Sequence, residues 1–257
     1  MATEAAQAVR GKRAVVRDLA PADLRAALAA GWADVRAYPL LGLFFGGAYV
    51  AAGLALCWVL FTRGAVAWLV PAAAGFPLLA PFAAVGLYEV SRRREAGLPM
   101  QWGAILGALR GRGDEQIMSM GVLVFVGFGF WLMIAHAIFA IFLAESGIGG
   151  ESLAFLRAGA GQMMLLVGGA VGAVIAFAFY AITVISLPML VDRDVDFMTA
   201  IITSLAVVRG NLAVMLLWAA GIAALLFLAM LPAFLGLAVV LPWLGHATWH
   251  LYRRAVA

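Results

Sequence analysis

The residues whose types and spacing could do chemistry are few. His246 and His250 stand four apart, which on a helix puts both imidazoles on one face and makes them a candidate metal chelate. The plainer reading comes from their neighbours. With Trp249, Tyr252, Arg253 and Arg254 they form an aromatic and basic cluster of the kind that anchors a helix end at a membrane interface. His136 lies inside a long apolar run, where an ionisable side chain either bridges helices or serves a ligand or a proton relay. Glu89 and Asp192 are carboxylates beside arginines, and salt bridges to Arg92, Arg93 or Arg193 compete with any role in a pathway. Together with Tyr180, these residues make Glu89, His136, Tyr180, Asp192 and His250 the candidates for a substrate or proton pathway.

No catalytic residue emerges. The sequence contains no phosphate-binding glycine loop, nucleophile elbow, paired-cysteine metal motif or zinc-protease signature, which leans the reading away from an enzyme. No cofactor is predicted, although the histidines leave metal and haem open. One haem arrangement is excluded by topology, because His136 and the last histidines fall in opposite halves of the bilayer, offset by about 15 Å of helical rise. Axial ligands must face one iron at nearly equal depth.

The elements that position these residues are membrane helices. The chain is 66% hydrophobic and 12% charged over 257 residues, far more apolar than a soluble domain. Its net charge of +4 does not indicate nucleic acid, because the basic residues flank apolar segments. The lone Cys57 sits within such a segment. About 20 apolar residues span a bilayer core, and six segments fit: Leu40 to Phe61, Val66 to Tyr88, Ile117 to Leu143, Gln162 to Leu190, Leu212 to Met230, and Pro232 to Leu251. The expected architecture is an all-α polytopic bundle, with a polar segment over residues 1–22 and a six-span membrane domain over 23–257. Pro71, Pro77 and Pro81 with Gly75 should break the second span, and Leu231-Pro232 marks the turn between the last two.

Arginine and lysine positions orient the bundle. Fifteen of the seventeen, from Arg10 to Arg36, Arg92 to Arg112, Arg193, Arg209, Arg253 and Arg254, fall on one side; Arg63 and Arg157 fall on the other. Retained basic residues mark the cytoplasm, so both ends are expected there.

An internal pattern accompanies the spans. Amphipathic stretches at Asp23 to Ala37, Gln101 to Arg110 and Asp196 to Arg209 precede the odd-numbered spans and read as interfacial helices. In the first, Leu24, Ala27, Leu28, Trp32 and Val35 form the apolar face, with Asp23, Arg25, Asp34 and Arg36 on the others. Pro81 to Arg93 overlays Pro242 to Arg254 without gaps, placing Glu89 opposite His250. A threefold repeat of one interfacial helix and two spans follows. Gly42 to Gly46 and Gly168 to Gly172 carry the small-residue spacing of helix contacts.

Three segments, GLYEVSRRREAG (Gly86 to Gly97), SLPMLVDRDVD (Ser186 to Asp196) and LGHATWHLYRR (Leu244 to Arg254), carry a family likeness. The chain resembles, from about Val16 to its end, the bacterial integral-membrane family known as domain of unknown function 2189 (DUF2189). That resemblance implies a multi-pass protein of the bacterial inner membrane and brings no activity or site residues with it.

Three functions remain in order. The first is a non-catalytic accessory or assembly partner, bound to another membrane protein or to itself. The second is a small-molecule or lipid permease, which predicts a water-accessible cavity beside Pro77 and Tyr180. The third is a metal- or haem-dependent membrane enzyme.

Overall fold

A computed structural model describes residues 16–64, 68–108, 116–146 and 159–256. They form helices joined by turns, with an isolated antiparallel bridge between Val16 and Val256. The elements are α1 (Pro21–Ala37), α2 (Pro39–Thr62), α3 (Leu69–Gly75), a 3₁₀ turn (Phe76–Leu79), α4 (Ala80–Ala83), α5 (Val85–Glu95) and α6 (Trp102–Gly107). After these come α7 (Gln116–Ser146), α8 (Gly159–Thr183), α9 (Ser186–Asp192), α10 (Phe197–Gly210), α11 (Leu212–Met230) and α12 (Leu237–Ala255).

Local sequence accounts for the boundaries. Tyr38 precedes a proline, leaves the helical region and separates α1 from α2, with Pro39 at the first position of the new helix. Gly97, at φ 64°, closes α5 just after its three arginines, and Leu98 N–H returns to the Arg93 carbonyl at 2.8 Å. Asp196 caps α10 by accepting from the Thr199 N–H at 2.8 Å.

Among the described residues, four helical stretches have the length and apolarity to cross a bilayer: Pro39–Thr62, Gln116–Ala144, Gly159–Asp192 and Leu212–Met230. Their outward faces are apolar, with Leu40 76% and Phe125 69% exposed. That is the surface a lipid environment requires and water would penalise. Among the described residues the fold is all-helical, and the protein is an integral membrane protein.

The second and sixth expected spans take other forms. The second is a series of short pieces, α3 to α5, broken where Pro77 and Pro81 remove N–H donors. The Ala80 N–H bonds Pro77 rather than Phe76, and the Phe76 carbonyl is taken by the Tyr49 hydroxyl of α2. Trp131 of α7 donates to the Pro71 carbonyl at 3.0 Å. Within a membrane, broken helix persists only where other protein groups satisfy it in this way. The sixth begins at Leu237, after a turn in which Ala233 and Phe234 have φ of 48° and 65°, and it runs to Ala255 through a polar, charged last turn.

α12 is the axis of the fold, packed by α1, α2, α5 and α11. Gly31 of α1 lies so close that a Cβ there would stand 2.5 Å from Ala247 N. A Cβ on Gly46 of α2 would stand 2.6 Å from the Ala238 carbonyl oxygen. That carbonyl lacks its helical donor because residue 242 is proline, and only a glycine lets α2 approach it. Gly42 faces Pro242, and Gly172 faces Trp131 across the α7–α8 pair, so both small-residue spacings mark real contacts.

Candidate functional site

Two features stand out within the bundle, one polar and one apolar. The first joins α1, α5 and α12 at the charged end. Asp34 is 2% exposed, and its Oδ2 accepts from Ser91 Oγ at 2.5 Å and faces His250 Nε2 at 2.9 Å. Its Oδ1 accepts from Arg94. His246 Nδ1 lies 2.7 Å from Ser91 Oγ and 3.7 Å from Asp34 Oδ2. Burial by itself would raise the Asp34 carboxyl. The hydrogen bonds from His250 and Ser91 and the nearby imidazoles outweigh it and hold the group down at about 2. Because Asp34 is ionised, the single Ser91 proton points to it, so His246 Nδ1–H donates to Ser91. His246 Nε2 is then buried with no partner among the described residues.

Asp34 escapes the sequence reading, which puts it on a polar face of an interfacial helix. The buried stripe of α1 is Leu24, Ala27, Gly31 and Asp34, while Trp32 is 42% exposed. A carboxylate at the next step of a 3-4-3 spacing was the available signal. The anchor reading of the last helix is likewise corrected. Trp249 and Tyr252 are fully buried, because α12 is wrapped on several sides by other helices.

The overlay of Glu89 on His250 does not bring them to one partner. Glu89 is held by Arg92 through two bonds of 2.6 and 2.7 Å and by Arg93 at 3.1 Å. Asp192 accepts from the Tyr252 hydroxyl at 2.8 Å and from Arg253 at 3.2 Å, and Arg253 also reaches Glu95. His136 stands apart from this end, its ring stacked on Trp68 with centroids 4.2 Å apart. His246 Nδ1 and His250 Nε2 are engaged by Ser91 and Asp34, and among the described residues no group of three or more His, Cys, Asp or Glu is arranged to hold a metal ion.

The second feature is a cavity of about 420 Å³ between the broken α4–α5 segment, α8, α11 and α12. Pro77 and Tyr180 both line it, as the permease reading expects, but its wall is apolar and no charged side chain among the described residues faces it. Tyr180 donates to the Met215 carbonyl at 3.0 Å, tying α8 to α11 across one side. Prolines 77 and 81 also line the cavity, so the helix break helps to shape the space.

Residues 69–192 match the family described as predicted integral membrane protein (DUF2189). No curated protein and no solved structure matches the chain. The DUF2189 match runs from α3 through α9, narrower than the likeness that begins near Val16. Within it fall Glu89, Ser91, His136, Tyr180 and Asp192, along with the α4–α5 and α8 walls of the cavity. Asp34 and both histidines of α12 lie outside the DUF2189 match, and so does the LGHATWHLYRR segment. The charged-end network therefore joins the matched segment to helices on either side of it.

Proposed function

We propose that this protein binds a small apolar molecule or a lipid chain inside the membrane and passes it through or holds it there. The observation that carries the reading is the cavity beside Pro77 and Tyr180. Its volume lies in the range of small-molecule sites, about 300–1,000 Å³, and it is flanked by a proline-broken helix of the kind that lines pathways in transporters. The accessory-partner reading rests on missing motifs, interfacial helices and small-residue faces, and glycines of those faces pack within the chain itself, so transport or carriage of an apolar ligand comes first.

In this proposal the chain crosses a bacterial inner membrane six times, with α3–α5 and α12 completing the bundle and both ends in the cytoplasm. The arginine asymmetry supports that orientation. It counts Arg10, Lys12, Arg13, Arg110, Arg112 and Arg157, which lie outside the described residues. The repeat rests on the gapless overlay of Pro81 to Arg93 on Pro242 to Arg254.

The test is native mass spectrometry of the protein purified in mild detergent, compared with Ala220→Trp, which fills the cavity from α11. A bound apolar species in the wild type that is lost in the variant supports the proposal. A wild type that carries and accepts no such species overturns it.

A further inference from the structure

The cavity wall is not uniform along its length, and this inference rests on the cavity reading above. Tyr88 and Thr248 both line it, at 3% and 6% exposure, and neither side-chain hydroxyl has a partner among the described residues. Several other hydroxyls in the bundle are engaged. Tyr49 and Tyr252 donate to the Phe76 carbonyl and to Asp192, Tyr180 to the Met215 carbonyl, and Thr183 to the Phe179 carbonyl at 2.8 Å. Both hydroxyls open onto the cavity rather than being sealed in protein, so a polar group of a ligand lodged there can bond to them.

Their depth is set by the packing of α5 on α12. A Cβ on Gly245 would meet Leu87 and Ala84, so the two helices are in contact just before the positions of Tyr88 and Thr248. Those positions border the charged end, because Glu89 follows Tyr88 directly and His250 lies two residues beyond Thr248. The charged groups turn to other partners: Glu89 to Arg92 and Arg93, His250 to Asp34. From there the wall is apolar apart from Tyr180 and Thr183, whose hydroxyls are already engaged. Along α11 it extends from Leu216 to Leu226, about 15 Å of helical rise.

We infer that the cavity takes an uncharged amphiphile whose compact hydroxyl or carbonyl head bonds to Tyr88 and Thr248, with its apolar chain directed toward Pro77, Ala223 and Leu241. A charged head is disfavoured, since burial there would strip its water with no opposite charge on the wall. Either a lipid alcohol or ester, or a prenyl quinone, has the required oxygen and chain.

The test uses four probes with the same sixteen-carbon chain: hexadecanol, hexadecanamide, hexadecanoate and hexadecyltrimethylammonium. Each is titrated into the full-length protein in mild detergent and read by native mass spectrometry. The two neutral probes should bind at least tenfold more tightly than the two charged ones. Tyr88→Phe and Thr248→Val, which keep side-chain size, should each weaken the neutral probes roughly two- to tenfold without lowering the melting temperature.

Extraction of protein purified from its own membranes distinguishes the sources. A glyceride or fatty alcohol identifies lipid, a prenyl quinone identifies the other, and a charged phospholipid in the cavity overturns the assignment. Equal binding of all four probes, or neutral binding indifferent to both substitutions, also overturns the head-group assignment while Ala220→Trp still tests the cavity. If no probe binds the wild type, the cavity reading itself falls.

Discussion

Asp34 Oδ2 lies 2.9 Å from His250 Nε2, joining residues 216 positions apart. The bond fastens the amphipathic helix before the first span to the last helix of the chain. Ser91 and Arg94 of α5 hold the same carboxylate, so three separate parts of the sequence share one buried charge.

Removing that charge leaves the Arg94 guanidinium without its buried counter-charge. Asp34→Asn should destabilise the protein by about 3 kcal/mol at neutral pH. Thermal unfolding in detergent measures it, and a loss below about 0.5 kcal/mol would show that the network is dispensable.

The same carboxylate sets a pH dependence. Its folded value is depressed to about 2 from an ordinary 3.8, so the folded state binds its proton less readily than the unfolded chain. The stabilisation is therefore complete above about pH 4 and is lost as pH falls through about 2. Unfolding curves of wild type and Asp34→Asn should be well separated at pH 6 and draw together on acidification. A constant separation down to pH 2 would contradict the depressed value.

Close backbone approach makes Gly31 and Gly46 intolerant of a methyl group. Gly31→Ala should cost roughly 1–3 kcal/mol through overpacking against Ala247. Gly103→Ala in α6, where a Cβ meets nothing, should be neutral or stabilising by up to about 1 kcal/mol. Comparable melting temperatures for the two variants would refute the described α1–α12 contact.

Tyr49→Phe removes the donor that satisfies the Phe76 carbonyl at the helix break. The orphaned carbonyl should cost roughly 1–3 kcal/mol, and hydrogen exchange should rise across residues 76–80. An unchanged exchange pattern there would mean that the break is held by other groups.

Topology is testable with a single engineered thiol, since Cys57 is the only cysteine to remove. In the Cys57→Ser background, Arg63→Cys should react with an impermeant maleimide from outside intact cells, and Arg254→Cys should react only after permeabilisation. Labelling of both from outside would exclude the six-span orientation.

Membrane residence was legible from composition and span-length apolar runs, because a hydrocarbon environment acts on each segment separately. The proline breaks of α3–α5 and the turn after Met230 were legible for the same local reason: a missing N–H disrupts its own helix wherever the fold places it. Interhelical partners were not legible in this way. Glu89 and His250 align in sequence, yet Glu89 finds arginines on its own helix while His250 finds Asp34, because only packing decides which helix stands opposite. Asp34 is polar by type and buried by position, and the close contact of Gly31 with Ala247 puts it there. The cavity likewise belongs to no segment. It exists because a broken helix, two alanine-bearing faces and α12 meet without filling the space between them, and the free hydroxyls of Tyr88 and Thr248 acquire meaning only on that shared wall.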